Sequence, residues 1–221
     1  MLLLLAIDDK GRVPIRRKST FTARNAFMKV GLSGALLAEL AIGGQLMIQK
    51  YGPVRAGGIR PADELLGDVY DAVRTHLHGR KAMGVIDGLN RDIGGSWNRV
   101  VSRLVDAGVL GRDPPSGLRP ARYPVIEVAA QQAVLHQVRG AAAGTGPLRS
   151  DVAVVLALAG PCRLMEEVAP ERRARTQALR RMANAITEAS FAPDVATSVN
   201  EVVDAVCKTI QNKAWSGPKY V

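Results

Sequence analysis

The side chains that most often carry out catalysis or bind metals do not occur here at the spacings that such chemistry needs. His76 and His78 are separated by one residue, so on a helix they point in different directions and do not converge on one ion. His136 stands alone, the segment Gly31 to Gly34 lacks the Gly-x-Ser-x-Gly spacing of a nucleophile elbow, and there is no Gly-Lys-Ser/Thr phosphate loop. We therefore predict a protein that is not an enzyme and has neither a metal nor another cofactor.

The basic residues are the charged side chains whose distribution does indicate a binding function. The sequence has 30 Lys and Arg against 20 Asp and Glu, a formal net charge of +10, which favours a polyanionic partner such as an anionic membrane or a nucleic acid. Seven basic residues and no acidic ones lie between Asp9 and Glu39, and we interpret this run as an electrostatic binding surface rather than a solvated face. They are Lys10, Arg12, Arg16, Arg17, Lys18, Arg24 and Lys29. A later cluster is interpreted as a solvated helix face: Arg172, Arg173, Arg175, Arg180 and Arg181.

The overall composition predicts a core built from aliphatic side chains on helices. Of the 221 residues, 47% are hydrophobic but only 4% are aromatic. No apolar run reaches the roughly 18 to 20 residues that a membrane-spanning helix needs, and the opening leucines lack the basic start of a signal peptide. We therefore expect a cytosolic protein, in which Cys162 and Cys207 are buried, reduced thiols.

The helix that must position the end of the basic run is the most clearly patterned element. Leucines at helical spacing form an apolar stripe along it, and Gly31 and Gly34, one turn apart, are expected to let another backbone approach closely. Gly44 is expected in the left-handed conformation that ends a helix, and Leu46 then begins a strand. The same spacing recurs at Leu104, Gly108 and Leu110, so we predict two helix-to-strand corners.

The remaining elements are predicted from capping residues, glycines and prolines. We expect a mainly α, single compact helical domain over residues 1–221, with a projecting β-hairpin at 111–124 and a flexible tail at 214–221. The predicted helices are 25–42, one beginning at Pro61, 83–89, 97–107, 126–139, 149–159, 161–168, 170–189 and 194–213. The segments predicted outside helices are an apolar segment and basic loop over 1–24, a strand at 45–49, a turn-rich connection at 51–60 and a connector at 140–146.

Several of these segments resemble the Golgi phosphoprotein 3 family. Gly31 to Leu46, GLSGALLAELAIGGQL, is similar to that family's pattern Gly-Leu-x-Gly-x-x-Leu-x-Glu-Leu-Ala-Leu-x-Gly-x-Leu. Leu2 to Val13, Arg103 to Leu110 and Asp151 to Val168 resemble its opening leucine run, the helix end before its hairpin and a buried helix of its second half. The resemblance covers nearly the whole chain and implies the family's helical fold, with a hairpin that contributes to self-association and membrane contact. The Ala-, Gly- and Arg-rich composition is typical of a bacterial relative.

The resemblance also implies a binding site. Eukaryotic family members bind phosphatidylinositol 4-phosphate in a basic pocket, and the positions that match its residues hold Arg24, Ser33, Gly94 and Trp97 here. We expect neighbouring basic side chains to contact an anionic headgroup, with the Trp97 ring as an apolar wall or, alternatively, as a core residue. The predicted lipid-headgroup residues are Arg16, Arg17, Arg24, Lys29, Ser33, Trp97, Arg99 and Arg103.

Two functions of different classes follow, and an unrecognised enzyme or an accessory protein of an enzyme cluster is a third alternative. The first is a cytoplasmic, peripherally membrane-associated protein that binds anionic lipid, including phosphoinositide-like headgroups. By resemblance it would also act as an adaptor for membrane-protein tails and form a homo-oligomer through the hairpin. The alternative is a nucleic-acid-binding regulator, because each helix-to-strand corner resembles the last helix and wing of a winged-helix module. Ser96 to Gly108 presents few of the side chains that read base edges, which favours the first interpretation.

Overall fold

The computed structural model describes residues 1–8, 21–91, 95–115 and 121–215, and within these ranges it is mainly helical, as predicted. A short two-stranded sheet and a 3₁₀ turn at Arg172–Ala174 complete the fold. The helices are α1 Leu2–Ala6, α2 Phe21–Ile42, α3 Glu64–Thr75, α4 Ala82–Arg91, α5 Ser96–Asp106, α6 Val128–Ala143, α7 Ser150–Ala159, α8 Met165–Val168, α9 Arg175–Glu188 and α10 Pro193–Trp215. The strands are β1 Leu46–Ile48 and β2 Val54–Ala56.

Helix α2 lies at the centre of the packing and contacts α1, α3, α4, α5, α7, α10 and β1. Its glycines make these contacts close, but they admit side chains rather than the neighbouring backbone that we expected. A Cβ atom added at Gly34 would lie 2.3 Å from Val206 Cγ2 of α10, and one added at Gly31 would lie 2.3 Å from Cys162 Sγ. Both positions therefore require glycine because a neighbouring side chain occupies the space of the missing Cβ.

The first helix-to-strand corner is confirmed, whereas the second leads into a single β-bridge rather than a strand. Gly44 and Gly108 have left-handed φ angles of +73° and +71°. After Gly44 the chain turns into β1 at Leu46, and after Gly108 it continues to Leu110, which forms an antiparallel bridge with Val125. The two corners thus end α2 and α5 in the same way and direct the chain away from each helix.

The connection predicted as turns at 51–60 contains a strand instead. Strand β2 pairs antiparallel with β1, with Leu46 opposite Ala56 and Ile48 opposite Val54. Val54 is buried and Arg55 is exposed, so the strand does alternate, but over only three residues. The surrounding Gly and Pro residues obscured a pattern this short.

Several helix boundaries differ from the predictions because of local capping. Helix α3 begins at Glu64 rather than Pro61, since the Asp63 carboxylate accepts a hydrogen bond from the Leu66 N–H at 3.0 Å. Helix α6 runs through Ala143 into the predicted connector and ends at Gly144, whose φ of +74° stops it.

At two other sites the predicted extent of helix was wrong. The apolar residues Leu2–Ala6 form a short helix, and α2 begins at Phe21 rather than at 25. The helix predicted over 161–168 is confined to Met165–Val168, because the chain first turns through Arg163 with a φ of +59°.

The predicted hairpin at 111–124 is described in part. Asp113 and Arg122 form an antiparallel bridge, with Asp113 N–H donating to the Arg122 carbonyl at 2.9 Å and the reverse bond at 3.1 Å. Residues 116–120 lie outside the described residues. So do 216–221 of the predicted tail, whose first residues belong to α10.

The close approach of α10 to α2 predicts that Gly34→Ala destabilises the fold. Val206 is β-branched and stiff in a helix, so overpacking should outweigh the gain in helix propensity and lower the free energy of unfolding by about 1 to 2 kcal/mol. Urea denaturation measures this. Adding Val206→Ala should make Gly34→Ala less costly than it is alone, because that change removes the clashing methyl group.

A matched control is Gly84→Ala in α4, where the nearest atom to an added Cβ is Arg80 Cβ at 3.6 Å. This change should raise stability by about 0.5 to 1 kcal/mol, because only helix propensity acts. Equal effects of the two glycine substitutions would contradict a steric role for Gly34.

The two thiols are free, and Cys162 is buried as expected, whereas Cys207 is only half-buried. Burial raises the pKa of the Cys162 thiol to about 12. At pH 8 its thiolate fraction should be roughly a thousandfold below that of an ordinary cysteine, so reaction with a disulfide reagent should await opening of the fold. In a Cys207→Ser variant, Cys162 should react with the disulfide reagent slowly in buffer and immediately in urea. Immediate reaction in buffer would contradict the burial of Cys162.

Candidate functional site

The predicted site residues meet where α2 packs against the start of α5. Ser33 Oγ lies 2.7 Å from Ser96 Oγ, and both side chains are buried. Ser33 also donates to the Lys29 carbonyl at 3.2 Å. Gly95, with a φ of +75°, introduces α5 just before Ser96. This buried pair of hydroxyl groups links the two helices on which six of the predicted residues occur.

The structure separates those residues into different environments. Lys29 is exposed, whereas Ser33 has no exposed surface and therefore does not face solvent. Trp97 is partly buried, so it packs against the core and also keeps some exposed surface. Arg24 is part of α2, and Arg16 and Arg17 lie outside the described residues.

Arg99 and Arg103 line a cleft between α5 and the start of α3, with a volume of about 540 Å³. Its wall carries four carboxylate side chains and these two guanidinium groups, so its formal charge is negative despite the net positive charge of the chain. The lining residues are Asp63, Glu64, Leu65, Asp68, Asn98, Arg99, Ser102, Arg103 and Asp106.

Both arginines are held in ion pairs across the cleft. Arg103 donates to Asp63 Oδ1 at 2.7 Å, and its other terminal nitrogen is 2.5 Å from Asp63 Oδ2. Arg99 is hydrogen-bonded to Asp68. A phosphate entering here must therefore displace a carboxylate that is already in place, whereas a cation meets carboxylates on the wall.

A third arginine completes this network on the outer side of α3. Arg60 Nε donates to Asp71 Oδ2 at 2.7 Å, and Arg60 Nη2 is 3.8 Å from Asp68 Oδ1. The hydrogen bond to Asp71 raises the pKa of the Arg60 guanidinium above its ordinary value. Because these groups are exposed, each pair contributes little to stability, and the main effect of the network is to orient the carboxylates.

The acidic partners of Arg99 and Arg103 were not predicted from the sequence. Asp63 has a second role, because its carboxylate also caps the start of α3 by accepting a hydrogen bond from the Leu66 N–H. A pairing between Asp63 and Arg103, 40 residues apart, leaves no local signal. Only the packing of α3 against α5 brings them together.

The histidines are the side chains most relevant to metal binding. His76, His78 and His136 are all exposed, and within the described ranges no group of three or more His, Cys, Asp or Glu side chains is arranged to hold a metal ion. In the same part of the chain, no helix is both long and apolar enough to cross a membrane.

Two arginines of the late cluster are paired with acids, Arg175 with Glu166 and Arg181 with Glu188.

The negative charge of the cleft is also relevant to nucleic-acid binding, the alternative function. Helix α5 would be the recognition helix of a winged-helix module, yet Arg99 and Arg103 on it are engaged with Asp68 and Asp63. A duplex that approached this face of α5 would meet carboxylates beside its phosphates. The surroundings of α5 therefore disfavour this mode of binding.

Comparison with known proteins agrees with the resemblance noted in the sequence. No curated protein sequence matches the chain. The family model described as Golgi phosphoprotein 3 (GPP34) matches residues 1–206, which includes α1 to α9 and the first half of α10. The chain therefore belongs to the Golgi phosphoprotein 3 family.

Proposed function

We propose that this protein is a peripheral membrane protein that binds anionic lipid on the cytoplasmic side and adapts membrane proteins to that surface. The observation that carries the proposal is the basic run without acidic residues between Asp9 and Glu39, which leads into α2 in a member of this family. A cluster of this kind is attracted to anionic leaflets. The proposal has two parts, a basic lipid-binding surface and an acidic cleft for a protein partner.

The lipid-binding surface consists of Arg16, Arg17, Arg24 and Lys29, with the exposed Lys29 as its described member. Their charge attracts phosphate, and the partly buried Trp97 provides an apolar wall beside the start of α5. Ser33 supports this surface indirectly, because its buried hydrogen bond to Ser96 holds α5 against α2. Arg99 and Arg103 take part only when a headgroup phosphate, a phosphoinositide included, replaces their carboxylate partners.

The adaptor part uses the cleft between α3 and α5. Membrane proteins carry an excess of Lys and Arg in their cytoplasmic segments next to the bilayer. Glu64 and Asp106 on the cleft wall have carboxylates that complement such a segment, and Leu65 adds an apolar contact. A membrane-protein tail that emerges from the bilayer would thus bind a protein already held at the lipid surface.

Self-association through the hairpin at 111–124 is a further part of the proposal. The bridges at Leu110 and Asp113 support a paired stem for this segment. Family members use a hairpin here for self-association, as the resemblance implies, so we propose a homo-oligomer in which stems from two copies meet.

The first part predicts that changing Arg16, Arg17 and Lys18 together to Ser releases the protein from anionic membranes. Near an anionic leaflet each basic residue contributes about 1 kcal/mol, so the partition coefficient should fall roughly a hundredfold. Co-sedimentation with phosphatidylcholine vesicles that contain phosphatidylserine measures this, and inositol phosphates should compete for the wild-type protein.

The matched control removes three exposed arginines of the late cluster, changing Arg172, Arg173 and Arg180 to Ser. It lowers the net charge equally but should leave most lipid binding intact. Equal losses in the two triple variants would show that total charge, rather than the basic run, governs binding. Stronger binding of wild-type protein to a random DNA duplex at matched ionic strength would favour the nucleic-acid alternative.

The second part predicts that Glu64→Gln with Asp106→Asn weakens binding of an arginine-rich peptide. Two exposed ion pairs at about 0.5 kcal/mol each correspond to roughly fivefold in affinity. Fluorescence anisotropy of a labelled peptide measures the change. Neither residue caps a helix or pairs with Arg99 or Arg103, so the fold and the internal ion pairs should persist.

The control for this pair is Glu171→Gln with Asp194→Asn, which removes two exposed acids elsewhere on the surface. Peptide affinity should change by less than twofold in it. A peptide affinity that is the same in wild type and in both double variants would exclude the cleft as the peptide site.

A further inference from the structure

Arg163 adopts a backbone conformation that arginine rarely takes. It lies in the turn between α7 and α8 with a φ of +59°, in the left-handed region where Cβ crowds the backbone. The turn is well hydrogen-bonded: the Arg163 N–H donates to the Gly160 carbonyl at 3.0 Å, and the Leu164 N–H donates to the Ala159 carbonyl at 2.9 Å. This is a position where glycine usually ends a helix, so the arginine side chain needs an explanation other than local backbone preference.

The side chain of Arg163 is held against α2. Its Cζ atom lies 4.9 Å from the centroid of the Phe27 ring, which is within the range of a cation–π contact. The neighbouring Cys162 Sγ donates to the Phe27 carbonyl at 3.8 Å and occupies the space left by Gly31. The turn thus packs onto α2 at Phe27 and Gly31, and the guanidinium contacts the Phe27 ring beside the first half of that helix.

Arg163 is nevertheless exposed, and no carboxylate within the described ranges forms an ion pair with it. A guanidinium that contacts a ring through its face keeps its N–H groups in the plane, where they can donate to other acceptors. Arg99, Arg103, Arg175 and Arg181 differ in this respect, because each is paired with an acid. Arg163 is therefore an exposed guanidinium, a group whose planar donors suit phosphate oxygens.

The position along the fold connects this cation with the basic run. The run ends in α2 at Lys29, which is exposed but lies two residues after Phe27 and so on a different face of the helix, whereas position 24 of the run lies three residues before Phe27, on the same face. A fixed cation from the second half of the chain is thus added next to the part of α2 that the basic run enters. We propose that Arg163 is a binding residue for the phosphate of an anionic lipid and that the strained turn exists to present it. This inference rests on the lipid-binding function proposed above.

The variant that tests this is Arg163→Gly, since glycine adopts the left-handed conformation without strain. Its urea midpoint should equal or exceed that of wild type, so lost binding is not caused by lost structure. Partition onto phosphatidylcholine vesicles that contain phosphatidylserine should fall about fivefold. Arg163→Lys, which keeps the charge but not the planar donors, should recover part of the binding.

The matched control is Tyr51→Gly, because Tyr51 is the other described non-glycine residue in the left-handed region and has the same φ of +59°. It relieves the same backbone strain without removing a cation, so vesicle binding should not change. Unchanged binding in Arg163→Gly, or an equal loss in Tyr51→Gly, would overturn the inference. A lower urea midpoint with unchanged binding would assign Arg163 a structural role only.

The outcomes for Arg163 and for the proposed function are distinguishable. If wild-type protein does not bind anionic vesicles, both fail. If it binds and the Arg16, Arg17 and Lys18 variant is released, while Arg163→Gly still binds fully, only the inference on Arg163 fails. Replacing chloride with inorganic phosphate at equal ionic strength should leave vesicle binding unchanged; loss of binding there would indicate a site for free phosphate rather than lipid.

Discussion

The close contact between α2 and α10 at Gly34 is the constraint on which the rest of the packing depends. With Val206 in the space of the absent Cβ, the two helices approach closely. Strand β1 is attached to α10 by a hydrogen bond from the Ile48 N–H to Ser198 Oγ at 3.0 Å. Because α2 also touches α4, α5 and α7, its distance from α10 sets where each of these helices lies. Protein interiors are close-packed, so a shift at Gly34 would propagate to the surfaces on which the proposed function depends.

The surface electrostatics follow from that packing rather than from the net charge. A chain with ten more basic than acidic residues still forms an acidic cleft, since α3 and α5 bring four carboxylates around Arg99 and Arg103. Conversely, the turn at Arg163 adds a cation beside α2 from a distant part of the chain. Surfaces of opposite sign on one small domain suit a protein that binds an anionic membrane and a basic partner at the same time.

Local sequence patterns predicted much of the fold. The leucine stripe of α2 and the left-handed glycines at 44 and 108 depend on neighbouring residues, and each was found where the pattern placed it. Errors arose where the determining interaction was not local or the element was too short. Strand β2 has only three residues and exists because β1 pairs with it, and the turn at 161–164 is held by its packing on Phe27.

The sequence by itself determined the helical class, the family and the basic run that enters α2, because composition, periodicity and glycine spacing are properties of adjacent residues. The tertiary structure alone decided which of the residues discussed for the site are buried, ion-paired or exposed. It buried Ser33 against Ser96, paired Arg103 with Asp63 and left Arg163 exposed over Phe27. Each of these outcomes depends on two residues that are 40 or more positions apart in the chain, and the distance between such residues is fixed only when the helices pack.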